Sequence, residues 1–252
     1  MSGTYTLGRG KVYFDRFTDN INKVRTGERY IGNTPEISFS TEAELLEHFD
    51  ADGGIRVKDD QVILEIVRTL TLTCDNIDDE NLGLLFLGDV STFTQASATG
   101  GTYNITDALQ GRYYQIGQTA GNPQGVRGVT TVSIAGATLT DDYTLDAALG
   151  RIYIVPGGGI TDGDDLVVTY TCTATERARI ITADSVTIDG ALRYISANPK
   201  GNQRDYYFPY VQLTPNGDYT FKGDEWQTLP FTCEVLKYDD STAAVYIDGR
   251  PA

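Results

Sequence analysis

The sequence predicts a mainly β fold with one flanking helix and a small β-sandwich inserted near its middle. Three observations carry that prediction: 27 glycines among 252 residues, abundant Thr, Val, Ile and Tyr, and many short alternating runs bounded by Gly, Asn or Asp. Only one segment combines helical spacing with signals at both ends. At about 150 residues per domain, the length accommodates one large domain or two unequal ones. No apolar run approaches the roughly 20 residues needed to cross a bilayer, so a soluble chain without a membrane partner is expected.

Taken in order, Thr41-Glu42-Ala43-Glu44-Leu45-Leu46-Glu47-His48 has the character of a capping box. Asp50-Ala51-Asp52-Gly53-Gly54 follows at once and is rich in turn formers, so a long mobile loop with one helical turn is expected there. The strongest strand runs from Val62 to Cys74. Val62, Leu64, Ile66, Leu70, Leu72 and Cys74 share one face, interrupted by Arg68, while Glu65, Thr69, Thr71 and Thr73 share the other. Next, Asp78-Asp79-Glu80 precedes Leu82, Leu85 and Phe86 at helical spacing, and Gly88 follows. Carboxylates at such a start cap free amides and meet the positive end of the dipole, and glycine can take the left-handed conformation that ends a helix. This is the expected helix.

Residues 91–111 are weakly patterned. From about Arg112 to Thr175, short strands at 128–134, 151–155 and 166–173 are separated by turns at Asp141-Asp142, Ala148-Leu149-Gly150 and Pro156-Gly157-Gly158-Gly159. Roughly sixty residues of this kind suit a small β-sandwich. Residues 112–175 are therefore read as an insertion, and residues 1–111 and 176–252 as one discontinuous larger domain. Beyond it, Tyr206 to Leu213 runs into Pro215-Asn216-Gly217-Asp218 and out through Tyr219 to Lys222. Asn-Gly supplies the positive φ angles of a tight turn, so a hairpin is expected. Residues 226–238 and 243–247 add two further strands.

Charge narrows the function classes. Thirty-five Asp and Glu against twenty Lys and Arg give a formal charge of −15, which disfavours a protein that grips phosphates and suits a surface along which DNA passes without adhering. The charge is also split along the chain: residues 1–40 carry six basic and four acidic side chains, and residues 41–60 carry seven acidic and two basic ones. A solvated loop beside an ordinary N-terminus accounts for this. So does a head-to-tail contact between copies, which propagates into a ring or filament. In that case the loop residues Glu42, Glu44, Glu47, His48, Asp50, Asp52, Arg56, Lys58, Asp59 and Asp60 face a basic surface drawn from Arg9, Lys11, Arg16, Lys23, Arg25 and Arg29.

No enzyme constellation emerges. His48 is the single histidine and sits in the acidic stretch without a candidate nucleophile or a Gly-x-Ser-x-Gly elbow. Asp50-x-Asp52-x-Gly54 lacks the third oxygen ligand and the twelfth-position Glu of a calcium loop; Asp162-Gly163-Asp164-Asp165 has the oxygens to hold calcium in a sandwich loop, but such a run is more often a solvated turn. No Lys-Ser/Thr follows Gly157-Gly158-Gly159, so it is not a phosphate cradle. Asn104-Ile105-Thr106 matches a glycosylation sequon, which has no force without a secretory route. The odd set Cys74, Cys172 and Cys233, far apart and each in an alternating run, reads as buried thiols. Tyr206, Tyr207, Phe208 and Tyr210 offer a stacking platform, although alternation along a strand sends half of them into the core. Met1-Ser2-Gly3-Thr4-Tyr5 lacks the pattern of a secretory signal, so a cytosolic or already processed chain is expected. No cofactor and no metal are expected.

Several phrases, in this order, resemble the major tail tube protein of a tailed bacteriophage. They are Gly8-Arg9-Gly10-Lys11-Val12-Tyr13-Phe14-Asp15, then Arg29-Tyr30-Ile31-Gly32-Asn33-Thr34-Pro35-Glu36, then Glu44 to Phe49 and Gly54 to Asp60. The series closes with Asn198-Pro199-Lys200-Gly201, Pro209, Leu213 to Asp218 and Lys222-Gly223-Asp224-Glu225-Trp226. The resemblance implies a tail-tube β-barrel or sandwich with one flanking helix. Six copies would close a continuous inner barrel, and rings would stack into the hollow tube that conducts phage DNA into the host cell. The loop matching Thr41 to Asp60 would be ordered by the neighbouring ring. The implied partners are further copies of the chain, a tape-measure protein, a tail terminator and distal tail or baseplate proteins, in a virion tail assembled in the host cytoplasm. DNA would pass without specific binding.

Duplex DNA carries about one negative charge per 1.7 Å of axis, so an acidic bore would not hold it back. The inserted segment is similar to the immunoglobulin-like modules that decorate tails. Such an outward bump leaves little room for a sheath and favours a long, non-contractile, siphovirus-like tail. Two other readings share the β architecture: a type VI secretion-like tube protein, and a monomeric β-sandwich binding module that uses its Tyr and Trp side chains.

Overall fold

The computed structural model describes residues 5–182 and 187–250. The chain divides into two units, Met1–Val90 with Ile180–Ala252, and Ser91–Arg179. The first unit opens with β1 (Gly10–Asp19), β2 (Val24–Arg25), β3 (Arg29–Tyr30), β4 (Glu36–Asp50), β5 (Val57–Cys74) and α1 (Asp79–Leu85), and β6 (Gly88–Gln95) leads out of it. The second unit holds β7 (Ala98–Ala108), β8 (Tyr113–Gln115), β9 (Val129–Ile134), β10 (Tyr143–Asp146), β11 (Arg151–Ile154) and β12 (Asp164–Cys172). The chain returns through β13 (Thr175–Thr182), which forms a two-stranded sheet with β6, to β14 (Ile188–Ser196), β15 (Arg204–Pro215), β16 (Leu229–Val235) and β17 (Tyr246–Gly249). The protein is mainly β, built of several antiparallel sheets, with one short helix among the described residues.

The nine-stranded sheet of the first unit has the order β2-β1-β14-β15-β16-β5-β4, with β3 on β1 and β17 on β15. It is open: no closed barrel forms among the described residues, and β4 lies at one end of the order. Alternation builds its core. Val12 and Phe14 of β1, Leu70 and Leu72 of β5, Leu192 of β14, Val211 and Leu213 of β15 and Phe231 of β16 turn inward, and Leu84 and Leu85 of α1 pack against them. Strands β1 and β14 approach closely at Gly190, where a Cβ would lie 2.5 Å from the Asp15 carbonyl oxygen and against the Phe14 ring.

The helix forms where the sequence places it. Asp78 takes extended backbone at the N-cap and its Oδ1 accepts from Asn81 N at 2.7 Å. Its end differs from expectation: Leu87, not Gly88, takes the positive φ (49°). Gly88 instead starts β6, with a would-be Cβ 2.7 Å from the Ile181 carbonyl oxygen, so that position calls for a side chain no larger than hydrogen.

Three further expectations need correction. Residues 41–48 are not helical; they belong to β4, paired with β5 from Glu36↔Thr73 out to Asp50↔Val57. That cross-strand ladder overrides a local capping signal. The second unit starts earlier and ends later than 112–175, because β7 pairs with β12 and the weakly patterned residues 98–108 become one of its strands. The hairpin through Asn216-Gly217 does not return at 219–222. Gly217 has the positive φ expected of a turn (118°), but residues 216–228 stay irregular and β15 takes β16 as its partner, Pro215 opposite Phe231.

The second unit contains two three-stranded antiparallel sheets, β10-β11-β8 and β7-β12-β9. Ile105, Ile116, Ile134, Tyr143, Ile152, Ile154 and Val168 make one core cluster of it. Its turns use their own carboxylates and amides. Asp142 Oδ2 accepts from Thr138 N at 2.6 Å and its Oδ1 accepts from Gly159 N, while Asp162 and Asp164 accept from Gln110 N and Thr161 N at 2.7 Å each.

Candidate assembly surface

The arm formed by β4 and β5 is the most distinctive feature of the first unit. Cross-strand partners share a face and alternate residues share a face, so the register assigns both sides of the arm. One face carries the pairs Ile37/Leu72, Phe39/Leu70, Thr41/Arg68, Ala43/Ile66 and, past a register shift, Leu45/Ile63. The other carries Glu36, Ser38, Ser40, Glu42 and Glu44 on β4, opposite Thr73, Thr71, Thr69, Val67 and Glu65. Leu70 and Leu72 are buried in the core. The same stripe continues outward through Ile66, Leu45 and Ile63, which are exposed, and Val62, Leu64 and Val67 beside them are exposed too. Of the six apolar residues read on one face of 62–74, only Leu70, Leu72 and Cys74 are buried. The outer half, beyond Arg68, is an apolar ribbon without a cover among the described residues.

The arm also holds every acidic-loop candidate. Glu47 pairs with Lys58 at 2.5 Å, His48 Nδ1 meets Asp59 Oδ1 at 2.6 Å, and the Arg56 guanidinium lies 4.8 Å from the centre of the Phe49 ring. Asp50 Oδ1 accepts from Asp52 N at 2.9 Å in the turn. Glu42, Glu44, Asp50, Asp52 and Asp60 have no ion-pair partner among the described residues. The expected long mobile loop shrinks to the turn at residues 51–56 between two long strands.

The basic candidates separate into two groups. Arg16 is tied to Asp89 at 3.3 Å, and Arg29 to Glu80 at 2.5 Å, to Asp78 at 3.6 Å and to Asn81 Oδ1 at 2.6 Å. These two brace the N-terminal end of α1 and the start of β6 and are not a free counter-surface. Arg9 donates to the Gly8 carbonyl, and Lys11 stands 5.4 Å over the Tyr30 ring. Lys23 donates to the Tyr238 carbonyl and stands over the rings of Tyr210 (4.7 Å) and Tyr238 (4.4 Å). Arg25 lies 5.7 Å from the Tyr207 ring centre. Lys23 and Arg25 face aromatic rings, with no carboxylate bound to either among the described residues.

Sequence reading missed what surrounds Arg25. A cleft of about 400 Å³ is lined by Arg25, Arg193, Tyr207, Tyr238, Tyr246 and Asp248, with Pro209 and Thr242. Strand pairing assembles it: Tyr207 of β15 lies opposite Arg193 of β14 on one side and Tyr246 of β17 on the other. The Arg193 guanidinium sits 4.3 Å from the Tyr207 ring centre and pairs with Glu28 at 2.7 Å. The tyrosine run was the available signal, and alternation divides it as expected. Phe208 is buried in the core and Tyr206 packs against it, while Tyr207 faces the cleft.

Among the described residues no group of three or more His, Cys, Asp or Glu side chains is gathered as a metal site. A comparison with curated proteins finds no match. The model of the family described as protein of unknown function UCP028589 matches residues 5–246, and the chain belongs to that family.

Proposed function

We propose that the protein is the tube-forming subunit of a phage tail, associating through the β4–β5 arm into rings that stack around a DNA-conducting bore. The observation that carries this reading is the arm itself. It extends the core's apolar stripe beyond the core, and its outer strand, fifteen residues long, is the unpaired edge of an open sheet. An isolated two-stranded ribbon is marginal in water, and an open edge is a template for pairing with another chain. Both needs are met when the arm lies on a second copy and the open sheet continues from one protomer to the next. The resemblance read from the sequence supplies the identity of the assembly, a non-contractile tube. The acidic balance of −15 supports a bore that does not bind DNA. The second unit, two small antiparallel sheets over one core, is assigned to the outside of the tube as an immunoglobulin-like decoration.

Electron microscopy of the purified full-length protein tests the proposal. Stacked rings or tubes with a central hole are expected at high protein concentration. A chain that stays monomeric under those conditions, or that closes as a two-fold dimer, overturns it.

A further inference from the structure

We infer that Trp226, on the irregular segment 216–228, inserts into the Arg25–Arg193–Tyr207 cleft of a second copy of the chain. This rests on the self-association proposed above and names one of its contacts. Trp226 is the only tryptophan and is 94% exposed, and Phe221 in the same segment is 78% exposed. Tryptophan on a free surface is costly in water and is among the residues most enriched at the centre of protein contacts.

The cleft matches it chemically. An indole is the best aromatic partner for a guanidinium, and here two guanidiniums and three tyrosines surround one opening. Charge agrees. Residues 216–228 carry Asp218, Asp224 and Glu225 against Lys222, with Asp224 and Glu225 directly before the indole. Lys23 and Arg25 beside the cleft lack carboxylate partners among the described residues. The larger cleft, about 660 Å³ between β1 and α1, fits less well, because both of its arginines, Arg16 and Arg29, are paired with its own Asp89 and Glu80, whereas in the Tyr207 cleft Arg193 is paired with Glu28 and Arg25 has no carboxylate partner among the described residues.

The occupant has to come from another copy. Tyr207 and Pro215 are eight residues apart on β15, about 26 Å at 3.3 Å per residue. Trp226 is tethered at the far end, three residues before Leu229, which is buried and paired with Cys74. Three extended residues reach about 10 Å, so the indole cannot return to its own cleft. A donor at one end of the sheet and an acceptor toward the other permit a heterologous, head-to-tail contact, which propagates unless two copies exchange the indole reciprocally about a two-fold axis.

The single tryptophan gives a direct readout on the full-length chain. Association is followed by sedimentation and electron microscopy, and the environment of Trp226 by its emission and by acrylamide quenching in the same samples. The expected result is a blue-shifted, quencher-protected indole in the assembled protein only. Trp226→Ala should raise the concentration of half-association about 30-fold or more. Glu225→Arg should weaken association, and adding Arg25→Glu to the same chain should restore it. Assembly with an indole still open to quencher overturns this contact and leaves the tube proposal standing. Weakening that Arg25→Glu does not relieve argues against this cleft. Absence of association at any concentration overturns both.

Discussion

Arg250 grips Asp205 at two points, Nη2 to Oδ1 at 2.8 Å and Nε to Oδ2 at 2.9 Å, while Asp205 Oδ1 also accepts from Ser196 N at 2.9 Å. This pair fastens the chain just after β17 to β15 and to the end of β14. Hydrogen bonding from Arg250 holds the Asp205 carboxyl below its ordinary range, against a smaller opposing effect of burial. A carboxyl depressed in the folded state stabilises the fold above the unfolded value of 3.8, and that stability is lost as pH falls through the folded value. Arg250→Gln should therefore flatten the decline of stability below pH 3.8, because the carboxyl then titrates nearer its unfolded value. Amide exchange in β17 should quicken at neutral pH. An acid profile identical to that of the parent would show that the pair contributes nothing to folding.

The outer arm separates folding from association. Leu45 and Ile66 are exposed in the single chain, so replacing both with Ser removes little burial. The stability of the monomer should stay within about 0.5 kcal/mol of the parent in a urea titration at low protein concentration. Association measured by sedimentation should fall sharply. If the double substitution unfolds the monomer, the arm is covered within its own chain and the proposed docking face is wrong.

Asn81 joins the helix to β3, to the residue that follows it and to the loop between β5 and the helix. The side chain is buried, and its Nδ2 donates to the Ile31 carbonyl at 2.8 Å and to the Asn76 carbonyl at 2.9 Å. Its Oδ1 accepts from Arg29. Asn81→Ala strands these groups away from water, which costs about 1–3 kcal/mol. The loss should show as a lower urea midpoint with an unchanged slope, the signature of lost stability without a change in compactness.

What the sequence disclosed divides by range. The capped helix at Asp78, the burial of Leu70, Leu72 and Cys74, and the division of Tyr207 from Phe208 follow from local spacing and were legible. The arm was not. Glu42, Glu44 and Glu47 alternate imperfectly, and a Thr followed by carboxylates signals a helix start as well as it signals an exposed strand. Only pairing with β5 decides between them. Residues 219–222 erred in the opposite direction: Gly217 takes the positive φ but Asn216 does not, so no tight Asn-Gly hairpin forms and β15 pairs with β16 at residues 229–235 instead. The cleft around Tyr207 joins residues 25, 193 and 246, whose proximity depends on a strand order that single-sequence patterns do not contain.

The three cysteines report on the two units separately. Cys74, Cys172 and Cys233 are free and buried. Burial pushes the Cys233 thiol up to about 12, and burial also raises Cys74. A thiol raised in this way carries less thiolate, the reactive form, and burial keeps a reagent from all three thiols, so a thiol reagent should label none of the three in the native protein and all three after denaturation. Cys172 belongs to the second unit and the other two to the first. Ile152→Ala empties part of the second core at a cost of about 2–5 kcal/mol, and the cavity lies in the unit that holds Cys172. Labelling at moderate urea should then reach Cys172 first, with Cys74 and Cys233 reacting at the parent concentration. Mass spectrometry of the labelled peptides resolves the order, and simultaneous exposure of all three would mean that the two units unfold as one.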